Sequence, residues 1–141
     1  MGSSYWRFYV HLIWATKGRE PLIGEAEEAV IRRSWKITNA ELGVIPHAIG
    51  VMPDHVHLAL SVPPRIAVAE LVRRLKGASS HAVNHVDSIR STGSFGWQPE
   101  YGGLTFGERS LPRVVSYIDN HRQHHTDNTL WPILERITDD R

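Results

Sequence analysis

The sequence predicts an α+β domain of the ferredoxin-like (RRM-like) kind, and three observations carry that prediction. Residues 6–15 and 55–62 alternate in polarity with the period of a β-strand. Residues 25–42 and 67–86 repeat apolar side chains at helical spacing. The order of elements, completed by a short strand and a last helix, is β-α-β-β-α-β-α. That is the split βαβ arrangement, an antiparallel sheet with two helices on one face and the other face expected to be open.

Each element has its own signal. In the first strand Phe8, Val10, Leu12 and Trp14 share one face and Tyr9, His11, Ile13 and Ala15 the other, up to a stop near Lys17-Gly18-Arg19. The first helix carries Ile31, Trp35 and Leu42 on one stripe, and Gly43 suits the residue just past its end. Residues 44–52, rich in Val, Ile and Ala, read as the second strand. Pro53-Asp54 halts it and leaves a turn short enough for a hairpin with the third. The second helix has the cleanest period, through Val68, Leu71, Val72, Leu75, Ser79, Ala82 and Val86. Residues 91–103 are Gly- and Ser-rich and read as a loop into a fourth strand near Tyr101–Phe106. Ser110 is placed to cap a last helix over about 111–126, with Leu111, Val114, Val115 and Ile118 on its buried stripe. The tail around Trp131-Pro132-Ile133-Leu134 is expected to pack back on the domain.

Composition narrows the function. The chain has 141 residues, 41% of them hydrophobic and 22% charged, which suits one folded domain, expected over residues 5–135 behind a loose N-terminus at 1–4. It has no cysteine, so thiolate metal sites and cysteine nucleophiles are excluded. With no signal-peptide pattern and no apolar run long enough to span a membrane, a cytoplasmic protein is expected. The net charge is only +1, so contact with nucleic acid would need a local basic patch.

The chemistry gathers on histidines. In the third strand Val56, Leu58, Leu60 and Val62 fall on one parity, and His55, His57, Ala59 and Ser61 on the other. His55 and His57 then project from one face, about 6.5–7 Å apart at their Cα atoms, from where their ring nitrogens can converge on one divalent metal. The last helix offers a second polar stripe of Tyr117, Asn120, His121, His124 and His125. Tyr117 and His121 lie one turn apart, so a phenol nucleophile and a metal ligand would reach one phosphate. Arg73, Arg74 and Lys76 lie on or beside the exposed face of the second long helix. With Lys17, Arg19 and Arg65 they read either as a solvated face or as a phosphate-binding patch. Trp97 and Tyr101 read equally as base-stacking or core residues. His11 reads as a neighbour that supports the metal pair.

With those residues in view, the sequence resembles the small single-tyrosine HUH transposases of the insertion-sequence TnpA type (IS200-like) and the related REP-associated tyrosine transposases. Five segments in order carry the resemblance: His11-Leu12-Ile13-Trp14-Ala15-Thr16-Lys17, Met52-Pro53-Asp54-His55-Val56-His57-Leu58, Leu71 to Ser80, Trp97-Gln98-Pro99-Glu100-Tyr101-Gly102, and Tyr117-Ile118-Asp119-Asn120. The resemblance implies a metal-dependent enzyme that cleaves and rejoins single-stranded DNA at hairpin-bearing ends. His55 and His57 would hold Mg²⁺ or Mn²⁺. Tyr117 would form a 5′-phosphotyrosine and free a 3′-OH. Two copies would form a homodimer with active sites shared between subunits. The family has Gln where this chain has His121. An imidazole there is a competent third ligand and shifts the preference toward Mn²⁺. Asn120 is expected to position the phosphate or the metal's surroundings. Two other readings remain: a hairpin-specific single-stranded DNA-binding protein without turnover, and an RNA-binding module of the same fold. The second expects aromatics where the third strand shows His55, His57, Ala59 and Ser61.

Overall fold

The structure is a computed structural model that describes residues 2–86 and 95–139. Part of the loop expected over 91–103 therefore lies outside the described residues. Four antiparallel strands, β1 (Tyr9–Ala15), β2 (Ile45–Val51), β3 (His55–Ser61) and β4 (Gly102–Phe106), form one sheet in the order β2-β3-β1-β4. The expected ferredoxin-like α+β fold is present, with the histidine strand in the middle of the sheet. Helices α1 (Glu25–Leu42) and α2 (Val68–Asn84) cover one face.

Local chemistry sets the element ends. The Glu27 carboxylate accepts a hydrogen bond from Gly24 N (2.9 Å) at the start of α1. Gly43 closes that helix at φ 72°, a left-handed turn that glycine enters without Cβ strain. Pro46 has no N–H for the ladder, and the β2–β3 register slips between Pro46 and Ala48. Beneath the sheet lie Leu12, Trp14, Val56, Leu58, Leu60, Ile31, Trp35, Leu71 and Leu75. Trp14, Trp35 and Trp97 pack ring to ring (5.7–6.1 Å between centroids), and Trp35 Nε1 donates to Leu75 O (2.9 Å), tying α1 to α2.

Two expectations need correction. The face expected to be open is roofed. Helices α3 (Leu111–Asp119), α4 (His121–Asp127) and α5 (Pro132–Glu135) lie over it, and every residue of β1 and β3 is buried. Alternation of apolar with small or polar residues reads as a half-solvated strand, but here the polar parity is covered by a second apolar cluster. Val114, Tyr117, Ile118 and Leu134 pack there on Ala48 and Ala59. Nor is the final helix continuous. It breaks at Asn120 (φ −105°, ψ 23°), whose Nδ2 donates to Ser116 O (2.8 Å) and competes with the helix's own ladder. Ser110 does stand at the start of α3, but its side chain makes no capping bond.

Candidate metal and tyrosine site

The site lies between the two central strands and the roof. His55 and His57 project upward from β3, His11 from β1, and His121 and His125 downward from α4. Ligand-type atoms of His55, His57, His121 and Glu135 all lie within 4.8 Å of one another. His55, His57 and His121 are buried. The carboxylate of Glu135 enters among them from α5. Its Oε2 lies 3.2 Å from His57 Nε2 and 3.9 Å from His121 Nδ1, and its Oε1 lies 3.8 Å from His55 Nε2.

Hydrogen bonds behind the rings set which nitrogens point inward. Asp54 Oδ1 holds His55 Nδ1 at 2.7 Å, which leaves His55 Nε2 as a lone pair facing the pocket. His11 Nε2 lies 2.8 Å from His57 Nδ1. The tautomer with its proton on His57 Nδ1 turns the Nε2 lone pair toward Glu135. Among the described residues, His57 Nε2 and His121 Nδ1 are buried with no partner in hydrogen-bond geometry. With the proton on Nδ1, the His57 Nε2 lone pair faces a carboxylate 3.2 Å away, which is costly unless a positive group, either a proton on Nε2 or a cation, lies between them. The residues present therefore fit a divalent cation held by imidazole and carboxylate.

The electrostatics agree. Burial, then the neighbouring His57, hold His11 and His121 at about 3, so both rings are neutral, His121 as an available ligand and His11 as the partner of His57 Nδ1. Burial likewise lowers His55, against the pull of Asp54. Burial alone would raise the Glu135 carboxyl, but His57 and Tyr117 outweigh it and hold that group at about 2.

Tyr117 belongs to the same cluster. Its ring lies 6.2 Å from that of His57, and its hydroxyl donates to Glu135 Oε2 (2.5 Å) while accepting from Trp131 N (3.0 Å). Burial and then the Glu135 bond raise the phenol above its ordinary value. His124 stacks on the tyrosine ring (4.6 Å) and pairs with Thr129.

The other residues singled out in the sequence fall elsewhere. Asn120 is exposed at the junction of α3 and α4, bonded to Ser116, and does not enter the cluster. Arg73, Arg74 and Lys76 sit on α2, across the sheet from the histidines. Arg73 pairs with Glu70, and Arg74 with Glu41. Lys76 Nζ donates to the carbonyls of Gln98, Pro99 and Glu100 (2.8–3.2 Å), clamping the loop before β4. Lys17 is exposed in a short 3-10 turn after β1. Trp97 packs in the tryptophan core and donates to Ser79 Oγ (2.9 Å). Sequence reasoning missed Glu135. The signal was its place directly after Leu134, the apolar residue that anchors the tail to the sheet. It also missed Gly102, where a Cβ would collide with the carbonyl of Arg136.

Comparison with known proteins gives the family. Residues 4–121 match the family described as "Transposase IS200 like". The ISDra2 transposase TnpA of Deinococcus radiodurans is 33% identical over 114 residues, which span 78% of this chain and 81% of that protein. A transposase-family crystal structure from the same organism superposes with a TM-score of 0.64 at 31% identity, over 85% of this chain and 95% of the other. A REP-associated tyrosine transposase bound to a REP hairpin has the same fold, with a TM-score of 0.67 at 15% identity over 99% of this chain and 94% of that one. On the family match and the curated relative together, this chain belongs to the IS200-like transposase family.

Proposed function

We propose that this chain is a metal-dependent transposase that cleaves and rejoins single-stranded DNA at hairpin-bearing ends through a covalent 5′-phosphotyrosine on Tyr117. The observation that carries the reading is the meeting, within one chain, of the Tyr117 hydroxyl with Glu135 and the three buried imidazoles. His55, His57, His121 and Glu135 would hold Mg²⁺ or Mn²⁺. When bound, the ion supplies charge that polarises the scissile phosphate and offsets negative charge in the transition state.

The chain's own residues account for the rest. The phenol oxygen of Tyr117 forms a bond to phosphorus as the bond from phosphorus to the 3′-oxygen breaks. That oxygen leaves as a 3′-OH, taking a proton from solvent. Glu135 Oε2 stands where the phenol's proton goes. A phenol above its ordinary value beside a carboxylate held at about 2 keeps its proton at rest. Transfer becomes favourable only as the O–P bond draws electron density from the phenol oxygen. Attack by the freed 3′-OH on the phosphotyrosine reverses the sequence and rejoins the strand without a nucleotide cofactor.

The hairpin in the REP-bound relative supports a hairpin-bearing substrate. Arg73, Arg74, Lys76 and Lys17 are proposed as its phosphate contacts, with Lys76 giving up carbonyl partners to serve; Asn120, at the exposed helix junction, is proposed to touch the phosphate from outside the cluster. We propose a homodimer acting in the cytoplasm, with sites shared between subunits through exchange of the α3–α4 segment. Mixing Tyr117→Phe with His57→Ala protein tests that exchange: activity returns only if one copy's tyrosine serves the other's histidines.

The decisive experiment incubates labelled hairpin-bearing single strands with the protein and Mn²⁺, Mg²⁺ or EDTA, then separates products on a denaturing gel. A metal-dependent adduct that resists denaturation and disappears in Tyr117→Phe is expected. Hairpin binding with no adduct under either metal would replace this reading with the binding protein that lacks turnover, in which Glu135 holds the tyrosine permanently.

A further inference from the structure

We infer that His125 is a metal ligand of this site, and that with it the pocket selects a nitrogen-preferring transition ion over Mg²⁺. The inference rests on the metal reading above and adds a residue that neither the sequence pattern nor the matched families assign.

The observation is a second convergence of lone pairs beside the first. His125 Nε2 lies 3.0 Å from His121 Nε2 and 3.3 Å from His55 Nε2, and those two nitrogens lie 2.9 Å from each other. The rings meet edge to face or tilted, at 87° for His121 with His125 and 55° for His55 with His125, so that their nitrogens rather than their faces converge. His121 and His125 are one helical turn apart on α4 and share its inward side. Three nitrogens about 3 Å apart have the spacing of neighbouring donors in an octahedral shell with imidazole–metal bonds of about 2.0–2.1 Å.

Hydrogen bonding within the protein does not satisfy this group. Asp54 fixes the proton on His55 Nδ1, so His55 Nε2 is an acceptor only. A proton on His121 Nε2 could serve His55, but His121 Nδ1 would then be a buried lone pair without a donor. A proton on His121 Nδ1 finds no acceptor in hydrogen-bond geometry and sets two lone pairs against each other at 2.9 Å. Either tautomer of His121 leaves one nitrogen unsatisfied among the described residues; a cation on the Nε2 side removes the clash of facing lone pairs and leaves the Nδ1 proton directed toward the Glu135 carboxylate, 3.9 Å away.

Donor chemistry then sets the ion. His55, His121 and His125 with Glu135, whose Oε1 lies 3.8 Å from His55 Nε2 and 3.9 Å from His125 Nε2, make a nitrogen-rich set of three imidazoles and one carboxylate. Mg²⁺ prefers oxygen and keeps its waters, whereas affinity for nitrogen donors rises from Mn²⁺ through Co²⁺ to Ni²⁺. His125 is the most exposed of the four, with 29% of its side chain accessible, so the imidazole face lies at the solvent edge where an ion enters.

The test is a titration of the metal-stripped full chain with Co²⁺, followed by its visible absorption and by calorimetry, with millimolar Mg²⁺ as competitor. Wild type should bind Co²⁺ that Mg²⁺ does not displace. His125→Ala and His125→Gln should each bind Co²⁺ at least about tenfold more weakly with an altered visible spectrum. Their Mg²⁺ affinity should stay within about threefold of wild type, and their metal-free melting curves should be unchanged. Unaltered Co²⁺ affinity and spectrum in both variants, with wild type binding the ion, would overturn the role of His125 and leave the metal pocket standing. No Co²⁺ binding by wild type would overturn both. Should the variants not fold, ¹⁵N spectra of the wild type decide: the His125 Nε2 resonance shifts on Zn²⁺ addition if it is a ligand and stays in place if it is not.

Discussion

The two faces of the sheet are built on opposite terms. Below it, Leu12, Trp14, Leu58 and Leu60 meet Ile31, Trp35, Leu71 and Leu75, and burial of apolar surface drives the packing at about 1.5–3 kcal/mol per large side chain. Above it, the same strands carry His11, His55 and His57 under a roof that adds His121, Tyr117 and Glu135, and two of the ring nitrogens there have no partner. Polar groups buried unsatisfied cost stability. Among the described residues, Trp14 Nε1 and the Asn39 amide of α1 are unpartnered on the lower side as well, so what sets the upper face apart is the convergence of imidazoles, a carboxylate and a phenol: the lower face accounts for the fold and the upper face for the chemistry.

Substitutions at adjacent residues break the comparison most directly. Leu58 and His57 are neighbours on β3 that point to opposite faces. Leu58→Ala should lower stability by about 2–5 kcal/mol in a denaturant titration. His57→Ala should cost far less in metal-free protein, yet abolish metal binding by calorimetry. Similar losses of stability for both would mean that the upper face is core like the lower.

Acid tests the same contrast. In metal-free protein His11 and His121 take up protons only near about 3 when folded, against 6.5 when unfolded. The folded state binds fewer protons across that window, so stability is full above 6.5 and falls as the pH drops toward 3. Glu135, held at about 2 against 4.5, adds to the loss at the acid end. Between pH 7 and 4 the melting temperature should fall by at least about 3–5 °C, the equivalent of about 1 kcal/mol for a chain of this size. His11→Gln should flatten the slope. A melting temperature that does not change with pH would contradict the buried neutral histidines.

Smaller effects sharpen the account of the roof. Gly102→Ala sets a Cβ against the Arg136 carbonyl and the Ile13 side chain. It should cost about 1–3 kcal/mol and weaken metal binding by shifting Glu135, both readable from one calorimetric series. His121→Gln, which restores the family residue, should retain DNA cleavage and move the metal preference toward Mg²⁺, as read from cleavage in each ion. Loss of all metal binding with the fold intact would show that imidazole and amide are not interchangeable here.

The lower face was legible in the sequence because apolar periodicity reports burial directly, and the strand parity of Val56, Leu58 and Leu60 with the stripe of Leu71, Val72 and Leu75 placed both layers. The shared face of His55 and His57 on the strand, and that of Tyr117 and His121 on the helix, were legible for the same reason, since period two and period 3.6 decide which side chains of one element share a face; that the two faces meet followed from the resemblance alone. The roof was not. A polar parity looks the same in sequence whether water or other polar side chains cover it, and nothing local distinguishes His125 at a helix end from His125 inside a cluster. Glu135 was hidden because it arrives on a four-residue helix whose position depends on Leu134 and Gly102, a contact between distant parts of the chain.

The central claim is that Tyr117 is the nucleophile of a metal-dependent transesterification. Peptide mapping by mass spectrometry, after reaction with hairpin-bearing single-stranded DNA and Mn²⁺ and nuclease trimming, tests it most directly. A nucleotide linked through phosphate to the Tyr117 peptide, with a matching strand that ends in 3′-OH, is the predicted result. A nucleotide on any other residue, or none from protein shown to hold the metal and the DNA, would contradict it.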